Sequence, residues 1–312
     1  MEKNSKIYIA GHRGLVGSAI LKKLESEGYS NLVYKTSAEL DLRNFNEVDS
    51  FFKEENIEYV FLAAAKVGGI VANNEFPADF IRDNILIQTN VIESSYKYNV
   101  NKLLFLGSTC IYPKFAPQPL KEEYLLTGEL EPTNEAYAIA KISGIKMCEA
   151  YNKQYGTKFI SAMPTNLYGE NDNFDLNSSH VLPALLRKFH EAKINNQDFV
   201  EIWGTGNPKR EFLYSDDLAD ACLYLMQNYN GNEIINVGVG EDLSIKELAN
   251  LIKGIVGYEG ELKFNTSKPD GTPRKLVDVT KLNDLGWSAR TGLEEGLRKT
   301  YNWFLENVLI KK

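Results

Sequence analysis

A phenol and an ammonium stand one helical turn apart in Tyr137-Ala138-Ile139-Ala140-Lys141, and Ser108 ends the apolar run KLLFLGS upstream. Residues at i and i+4 share one helix face. These three types together suit reduction of a ketone. The alkoxide formed by hydride addition needs an acid, and a tyrosine of ordinary pKa about 10 becomes a better one beside a lysine ammonium that favours the phenolate. Ser108 would hydrogen-bond the carbonyl and hold it near Tyr137, while Lys141 is also placed to hold ribose hydroxyls of a nicotinamide cofactor.

Such a cofactor needs a cradle. Gly11-His12-Arg13-Gly14-Leu15-Val16-Gly17 follows an apolar run and opens a helical pattern. Gly11 permits the tight turn, Gly14 lets the backbone approach a pyrophosphate, and Gly17 lets helix and sheet pack closely. The free N–H groups at the helix start, including those of Leu15 and Val16, then face the phosphates. At the end of the second apolar run, VYKTSAELDL carries Lys35 where a carboxylate for a ribose 2′-hydroxyl would stand. A cation there, with Arg13 reaching the same corner, favours a 2′-phosphate and therefore NADP(H). Asp41 and Leu42 fall where an adenine edge would lie, or Asp41 caps a helix. Ala63 and Ala64 end the third run, and Pro164, Asn166 and Leu167 end the fifth; both are candidate walls of a nicotinamide pocket.

The elements that must position these groups alternate. KIYIAG, NLVYK, EYVFLAA, KLLFLGS and KFISAMPTNLYG read as buried strands, and helical spacing separates them: Leu15, Ala19, Ile20 and Leu24 on one face, Ile81, Ile85, Ile92 and Tyr96 on another. This predicts an α/β fold, a doubly wound Rossmann-type parallel sheet covered on both faces. After Gly169 the alternation breaks, so a smaller, discontinuous α+β lobe is expected. The expected division is residues 1–169 plus about 212–240 for the dinucleotide and about 170–211 plus 241–312 for the substrate.

Composition is that of an ordinary globular chain: 312 residues, 43% hydrophobic, 25% charged, net charge −7. An acidic surface argues against nucleic-acid binding, and the uncharged stretch 221–232 falls short of the ~18–20 apolar residues of a membrane span. MEKNSKIYIAGHRG contains no apolar h-region, so secretion is not expected, and Cys110, Cys148 and Cys222 fit neither a disulfide framework nor a zinc spacing. A cytoplasmic protein without a bound metal is expected. His12 lies in the glycine loop and His190 on what reads as a charged helix face; Cys148 and Cys222 read as core.

The segments GHRGLVGSAI, AAAKVGGIVANN, FLGSTCIYP, EPTNEAYAIAKISG, MPTNLYG, SSHVLPALLRKFH, WGTGNPKREFLYSDD and SKPDGTPRKLVDV, from residue 8 to about 286, resemble the GDP-L-fucose synthase family of extended short-chain dehydrogenases. The resemblance implies epimerisation of GDP-4-keto-6-deoxy-D-mannose at C3 and C5, followed by NADPH reduction at C4. It implies that Cys110 and His180 form the epimerising pair, with Cys110 suggested as base, although the residues themselves leave open which is acid. His180 also falls at a cofactor-contacting position. Lys188, Trp203, Arg210 and Asp278 fall at substrate-contacting positions, where Arg210 suits the diphosphate by its planar fork. The family commonly carries Arg at the positions of Lys188 and Ser37, and it implies a homodimer through helices around 83–98 and 137–155. Two other functions fit the residues less well: a nucleotide-sugar 4-epimerase or 4,6-dehydratase, and a non-catalytic NADP-binding scaffold.

Overall fold

The computed structural model describes residues 1–176, 178–268 and 270–309; Pro269, inside one of the segments quoted above, lies outside them. The first part alternates β1 (Ile7–Ala10), α1 (Leu15–Ser26), β2 (Leu32–Val33), α2 (Phe45–Glu55), β3 (Tyr59–Leu62), α3 (Ile70–Glu75), α4 (Pro77–Lys97), β4 (Lys102–Leu106), α5 (Glu135–Tyr155) and β5 (Phe159–Pro164). β6 (Asn166–Tyr168), α6 (Val181–Ile194), β7 (Phe199–Trp203), β8 (Lys209–Arg210), β9 (Phe212–Tyr214), α7 (Ser215–Asn228) and β10 (Ile235–Val237) follow. The chain closes with β11 (Leu243–Ser244), α8 (Ile245–Val256), β12 (Glu261–Asn265), β13 (Arg274–Lys275), α9 (Thr280–Asp284) and α10 (Leu293–Asn307).

Six of these strands form one parallel sheet in the order β2-β1-β3-β4-β5-β10. β1 and β4 are buried at every position, as strands covered on both faces must be. The order reverses between β1 and β3, and the crevice beyond the carboxyl ends at such a point is where ligands settle. Two apolar clusters cover the sheet, one from α2, α4 and α5 and one from α1 and α7. A third is built from α6, α8, α10 and the short strands β7 and β9. Beside it β12 pairs with β7, and β8 sits between β11 and β13.

On α1 the expected face is buried at Ala19, Ile20 and Leu24, with Gly17 added and Leu15 only half-buried. α4 departs from expectation. Its buried side carries the expected Ile92 but also Asp83, Asn84, Gln88 and Asn90, whereas Ile81, Ile85 and Tyr96 are only half-buried. The amide nitrogens of three of them donate internally: Gln88 Nε2 to Ala140 O at 2.6 Å, Asn90 Nδ2 to Leu42 O at 2.9 Å and Asn84 Nδ2 to Phe80 O at 2.8 Å. Buried amides with partners can outrank apolar spacing in choosing a helix face. His190 is a second correction. It is buried, with Nδ1 2.9 Å from the Tyr301 hydroxyl and the Phe304 ring against it, and is part of the core. Cys148 and Cys222 are fully enclosed.

Candidate active site

The glycine loop is shaped by contact. Gly11 has φ +89°, and a Cβ there would meet Ala64 N at 2.8 Å, so loop and β3 end touch backbone to backbone. A Cβ on Gly17 would stand 2.9 Å from His12 N and closer still to Gly11 O. At Gly14 the nearest atom would be 3.6 Å away. The space over Gly14 is thus open while its neighbours are closed by protein. Gly14 is also the N-cap of α1, and no side chain caps that helix, so its first N–H groups face this opening. These observations fit a dinucleotide diphosphate.

Arg13 is exposed and Lys35 half-buried at the corner between the loop and β2. The His12 ring stacks on Tyr34 at 4.6 Å there. Glu39, an acid at that corner not foreseen from the sequence, is turned back on its own chain, accepting from Thr36 N and Oγ1 at 2.7 Å each. Asp41 is committed elsewhere: its carboxylate takes the Arg43 guanidinium at 2.9 and 2.8 Å. The cap of α2 is Asn44, not Asp41, and Leu42 packs against the core while its carbonyl accepts from Asn90. The loop after β3 is fixed by Asn84, whose amide accepts from Lys66 N at 2.9 Å and donates to Lys66 O at 3.0 Å. Across the crevice, Asn166 Nδ2 donates to Glu211 O at 2.9 Å and Thr165 N to Val237 O at 3.0 Å, which fixes the Pro164–Leu167 stretch.

β4 ends in a tight turn, Thr109–Ile111, capped by Ser108, whose Oγ accepts from Cys110 N at 3.4 Å. α5 packs against this turn and brings Tyr137 and Lys141 to it. Lys141 is buried; its Nζ donates to Leu106 O at 2.8 Å and lies 4.8 Å above the Phe105 ring and 5.7 Å from the Tyr137 ring centre. Burial pushes its pKa down to about 8. The tyrosine does not follow the expectation that lysine would lower it. Burial drives the Tyr137 phenol well above its ordinary value, and the Lys141 proton is spent on a backbone carbonyl. In this state Tyr137 is a protonated donor.

Cys110 is buried, and loss of solvent raises its thiol; the Ser108 hydroxyl, then Lys275 and Lys141, act in the opposite direction. His180 is the N-cap of α6, and burial of its ring, then the Lys275 charge, holds it below its ordinary value. Cys110 and His180 therefore share one cationic neighbour.

Of the four expected substrate contacts, Lys188 on α6 and Trp203 on β7 meet, and Arg210 lies on β8. Lys188 Nζ donates to Glu201 O at 3.4 Å and sits 5.5 Å from the Trp203 ring centre, with Lys268 at 5.2 Å. Trp203 is 51% exposed, an open aromatic face between two cations. Arg210 is half-buried, and among the described residues its guanidinium has one hydrogen bond, Nη1 donating to Lys209 O at 2.7 Å. Asp278 is not grouped with them. Its carboxylate accepts from Thr280 N at 2.9 Å, and Lys121 is the cation whose field it feels.

Sequence reading also missed Asp270, Glu211 and Lys275. Asp270 accepts from Thr205 N at 2.7 Å and Oγ1 at 2.8 Å, fixing the loop after Trp203. Glu211 is fully buried; its Oε1 accepts from Val239 N at 2.6 Å and Gly240 N at 2.7 Å, and its Oε2 from Val277 N at 3.0 Å. It ties three chain segments together beside Arg210. The only signal in the sequence was charge inside otherwise apolar or turn-rich runs.

Residues 7–238 match the model of the NAD dependent epimerase/dehydratase family. The chain is 62% identical, over all of its length and 95% of the relative's, to a putative GDP-L-fucose synthase 2 of Arabidopsis thaliana. Among solved structures, a GDP-L-fucose synthetase of Naegleria fowleri bound to NADP superposes with TM-score 0.92 at 32% identity, over 99% of this chain and 96% of that one. MlghC, a GDP-mannoheptose C4 reductase of Campylobacter jejuni with NADP bound, superposes with TM-score 0.91 at 49% identity, over 98% and 99%.

Proposed function

Because the chain belongs to the NAD dependent epimerase/dehydratase family and, within it, to the GDP-L-fucose synthases, we propose that it converts GDP-4-keto-6-deoxy-D-mannose to GDP-L-fucose. The reaction is epimerisation at C3 and C5 followed by reduction of the C4 ketone. The observation that carries this reading is the turn after β4, where Ser108 and Cys110 lie under the helix that bears Tyr137 and Lys141, at the same carboxyl edge of the sheet as the switch point between β1 and β3.

NADPH, when bound, supplies the hydride that reduces C4. Gly11, Gly14 and Gly17 with the N–H groups of Leu15 and Val16 would hold its diphosphate, Arg13 and Lys35 its 2′-phosphate, and Lys141 its ribose. Ala63, Ala64, Pro164, Asn166 and Leu167, with His180, would wall the nicotinamide. A ketone acidifies the hydrogens on both adjacent carbons, so one carbonyl serves deprotonation first and reduction second. Cys110 as thiolate takes a proton from the ring carbon; the C–H electron pair moves onto the ketone oxygen, which Ser108 and the Tyr137 hydroxyl stabilise. His180 returns a proton on the opposite face. After reduction Tyr137 protonates the C4 oxygen, a task suited to the protonated phenol its burial enforces. Arg210 and Lys188 neutralise the diphosphate.

We further propose two lobes divided near Gly169, a cytoplasmic enzyme, and a homodimer built on α4 and α5. Those helices pack on each other and leave Leu86 and Ile139 exposed, with Ile81 and Ile85 half-buried beside them. Among the described residues, no helix is long and apolar enough to cross a membrane.

Purified protein mixed with NADPH and the 4-keto sugar nucleotide should lose the nicotinamide absorbance and incorporate solvent deuterium at C3 and C5. Absence of NADPH oxidation would remove this reading. Oxidation without deuterium would replace it with a C4 reductase that does not epimerise. Recycling of a bound cofactor with no net oxidation would indicate a 4-epimerase or dehydratase.

A further inference from the structure

Past Ala64, the stretch KVGGIVANN (66–74) holds no group that the reaction uses. It forms the loop from β3 into α3, and this loop reaches across to the turn that precedes α6. Gly69 N donates to Ser178 O at 3.0 Å. A Cβ on Gly69 would lie 2.9 Å from Ser179 O, 3.4 Å from Ser178 O and 3.7 Å from Ser179 C. Ser179 C and O belong to the peptide bond whose nitrogen is that of His180, so the loop bears directly on the link that carries the imidazole. Backbone conformation does not call for glycine here: φ −66° and ψ 178° is extended and open to any residue. Close approach does.

The two sides of this contact are anchored differently. The β3 side is tied to buried amides. Lys66 N donates to Asn84 Oδ1 at 2.9 Å and Asn84 Nδ2 to Lys66 O at 3.0 Å, while Asn73 Nδ2 donates to Gly68 O at 2.7 Å and Gly69 O at 3.0 Å. Gly68 is packed as well, since a Cβ there would meet Phe80 Cζ at 3.0 Å. The Phe80 ring in turn stands edge-on to Tyr137, centroids 6.3 Å apart. The α6 side is a turn exposed at Asn173 and Asp175. There Asp175 Oδ1 accepts from Ser178 N and Oγ at 3.1 Å each, and Asp175 O from Ser179 N at 2.9 Å. A side chain at Gly69 would therefore displace residues 178–180 rather than the loop. Carbon–oxygen contacts are ordinarily about 3.3–3.6 Å, so the shift is several tenths of an ångström or more.

We infer that Gly69 is a positioning residue for His180: the β3–α3 loop sets the reach of the imidazole by backbone contact with the Ser179–His180 peptide. This rests on the epimerase reading above, in which His180 returns a proton to the sugar. In that step an imidazolium N–H breaks as the ring C–H forms from the electron pair of the enolate, and the imidazole takes its next proton from solvent. Misplacement by 1 Å can cost about 10²-fold in rate, so the smaller shift here is worth about tenfold.

The test compares two rates in the full-length protein and in G69A. Inversion at C3 and C5 is followed by NMR in deuterated water, with the 4-keto sugar nucleotide and no NADPH. Hydride transfer alone is followed as NADPH formed in a single turnover from GDP-L-fucose and NADP+, where C4 is oxidised before any inversion. G69A is expected to slow inversion about tenfold and hydride transfer by less than about twofold. Unchanged inversion would overturn the inference, and so would equal loss of both rates, which a general defect in folding produces. Should G69A not fold, N73A frees the loop without adding a methyl and is judged by the same split. The histidine ring resonances supply a readout that needs no turnover: that of His180, assigned by its loss in His180→Asn, should move in G69A while that of the enclosed His190 stays. A parent protein that does not invert rejects the epimerase; a moved His180 resonance then keeps the positioning, and an unmoved one rejects it too.

Discussion

Gly14 and Gly17 stand three residues apart in one loop and should fail in different ways when given a methyl group. An alanine Cβ at Gly17 would lie 2.5 Å from Gly11 C and 2.9 Å from His12 N. Ordinary carbon contacts with polar backbone atoms are about 3.3–3.6 Å, so α1 must retreat from the loop by several tenths of an ångström or more. That helix buries Ala19, Ile20 and Leu24 against the sheet and packs along α7, so retreat leaves poorly filled space. Overpacking of this kind costs about 1–3 kcal/mol. At Gly14 the backbone is extended, φ −81° and ψ 170°, which any residue adopts, and the nearest atom would be at 3.6 Å. Gly14→Ala should therefore change stability by under about 0.5 kcal/mol. Its methyl would occupy the space over the helix N-terminus that the diphosphate needs. Thermal unfolding without ligand should show Gly17→Ala lowered by on the order of 2–4 °C per kcal/mol and Gly14→Ala near the parent protein. NADPH titration by nicotinamide fluorescence should show both weakened, Gly14→Ala by about tenfold or more, which is ~1.4 kcal/mol. Equal melting of the two variants, or unaltered NADPH affinity in Gly14→Ala, would refute the division between a packing glycine and a ligand glycine.

Tyr137→Phe should lower reduction by about 10²–10⁴-fold, the usual worth of a positioned acid, while C3 and C5 exchange of solvent deuterium continues; NMR of the recovered sugar nucleotide checks both. Cys110→Ser should lose exchange first, and unchanged exchange would return Cys110 to a packing role. Lys141, lowered to about 8, carries its charge below that pH and loses it above. Reduction at saturating substrate should accordingly fall as pH rises through about 8, measured as NADPH oxidation in buffers of constant ionic strength. Lys102 is buried with Nζ donating to the carbonyls of Leu225, at 3.1 Å, Met226, at 2.8 Å, and Tyr229 at the end of α7. Lys102→Met strands those acceptors and should destabilise the protein by about 2–4 kcal/mol in denaturant titration, with little effect on the NADPH KM.

What the residues in order determined was local. Strand runs of unbroken apolar residues cannot be satisfied except between two layers, which gave the parallel sheet, and a glycine loop opening a helix has few uses besides an anion. Ser108, Tyr137 and Lys141 were legible because their chemistry depends on strand ends and helical spacing, both of which are short-range. Three things were decided only by the folded chain. The buried face of α4 carries polar residues among its apolar ones, because Asn84, Gln88 and Asn90 find partners on segments distant in sequence. His190, which reads as surface, is core, because α10 closes over it. The direction of each pKa depended on how much water the fold removes, so Tyr137 rose where a neighbouring lysine alone would have lowered it. Charge and dehydration act through space, and β13 brings Lys275 beside Arg210 from 65 positions further along the chain. No local pattern encodes that meeting.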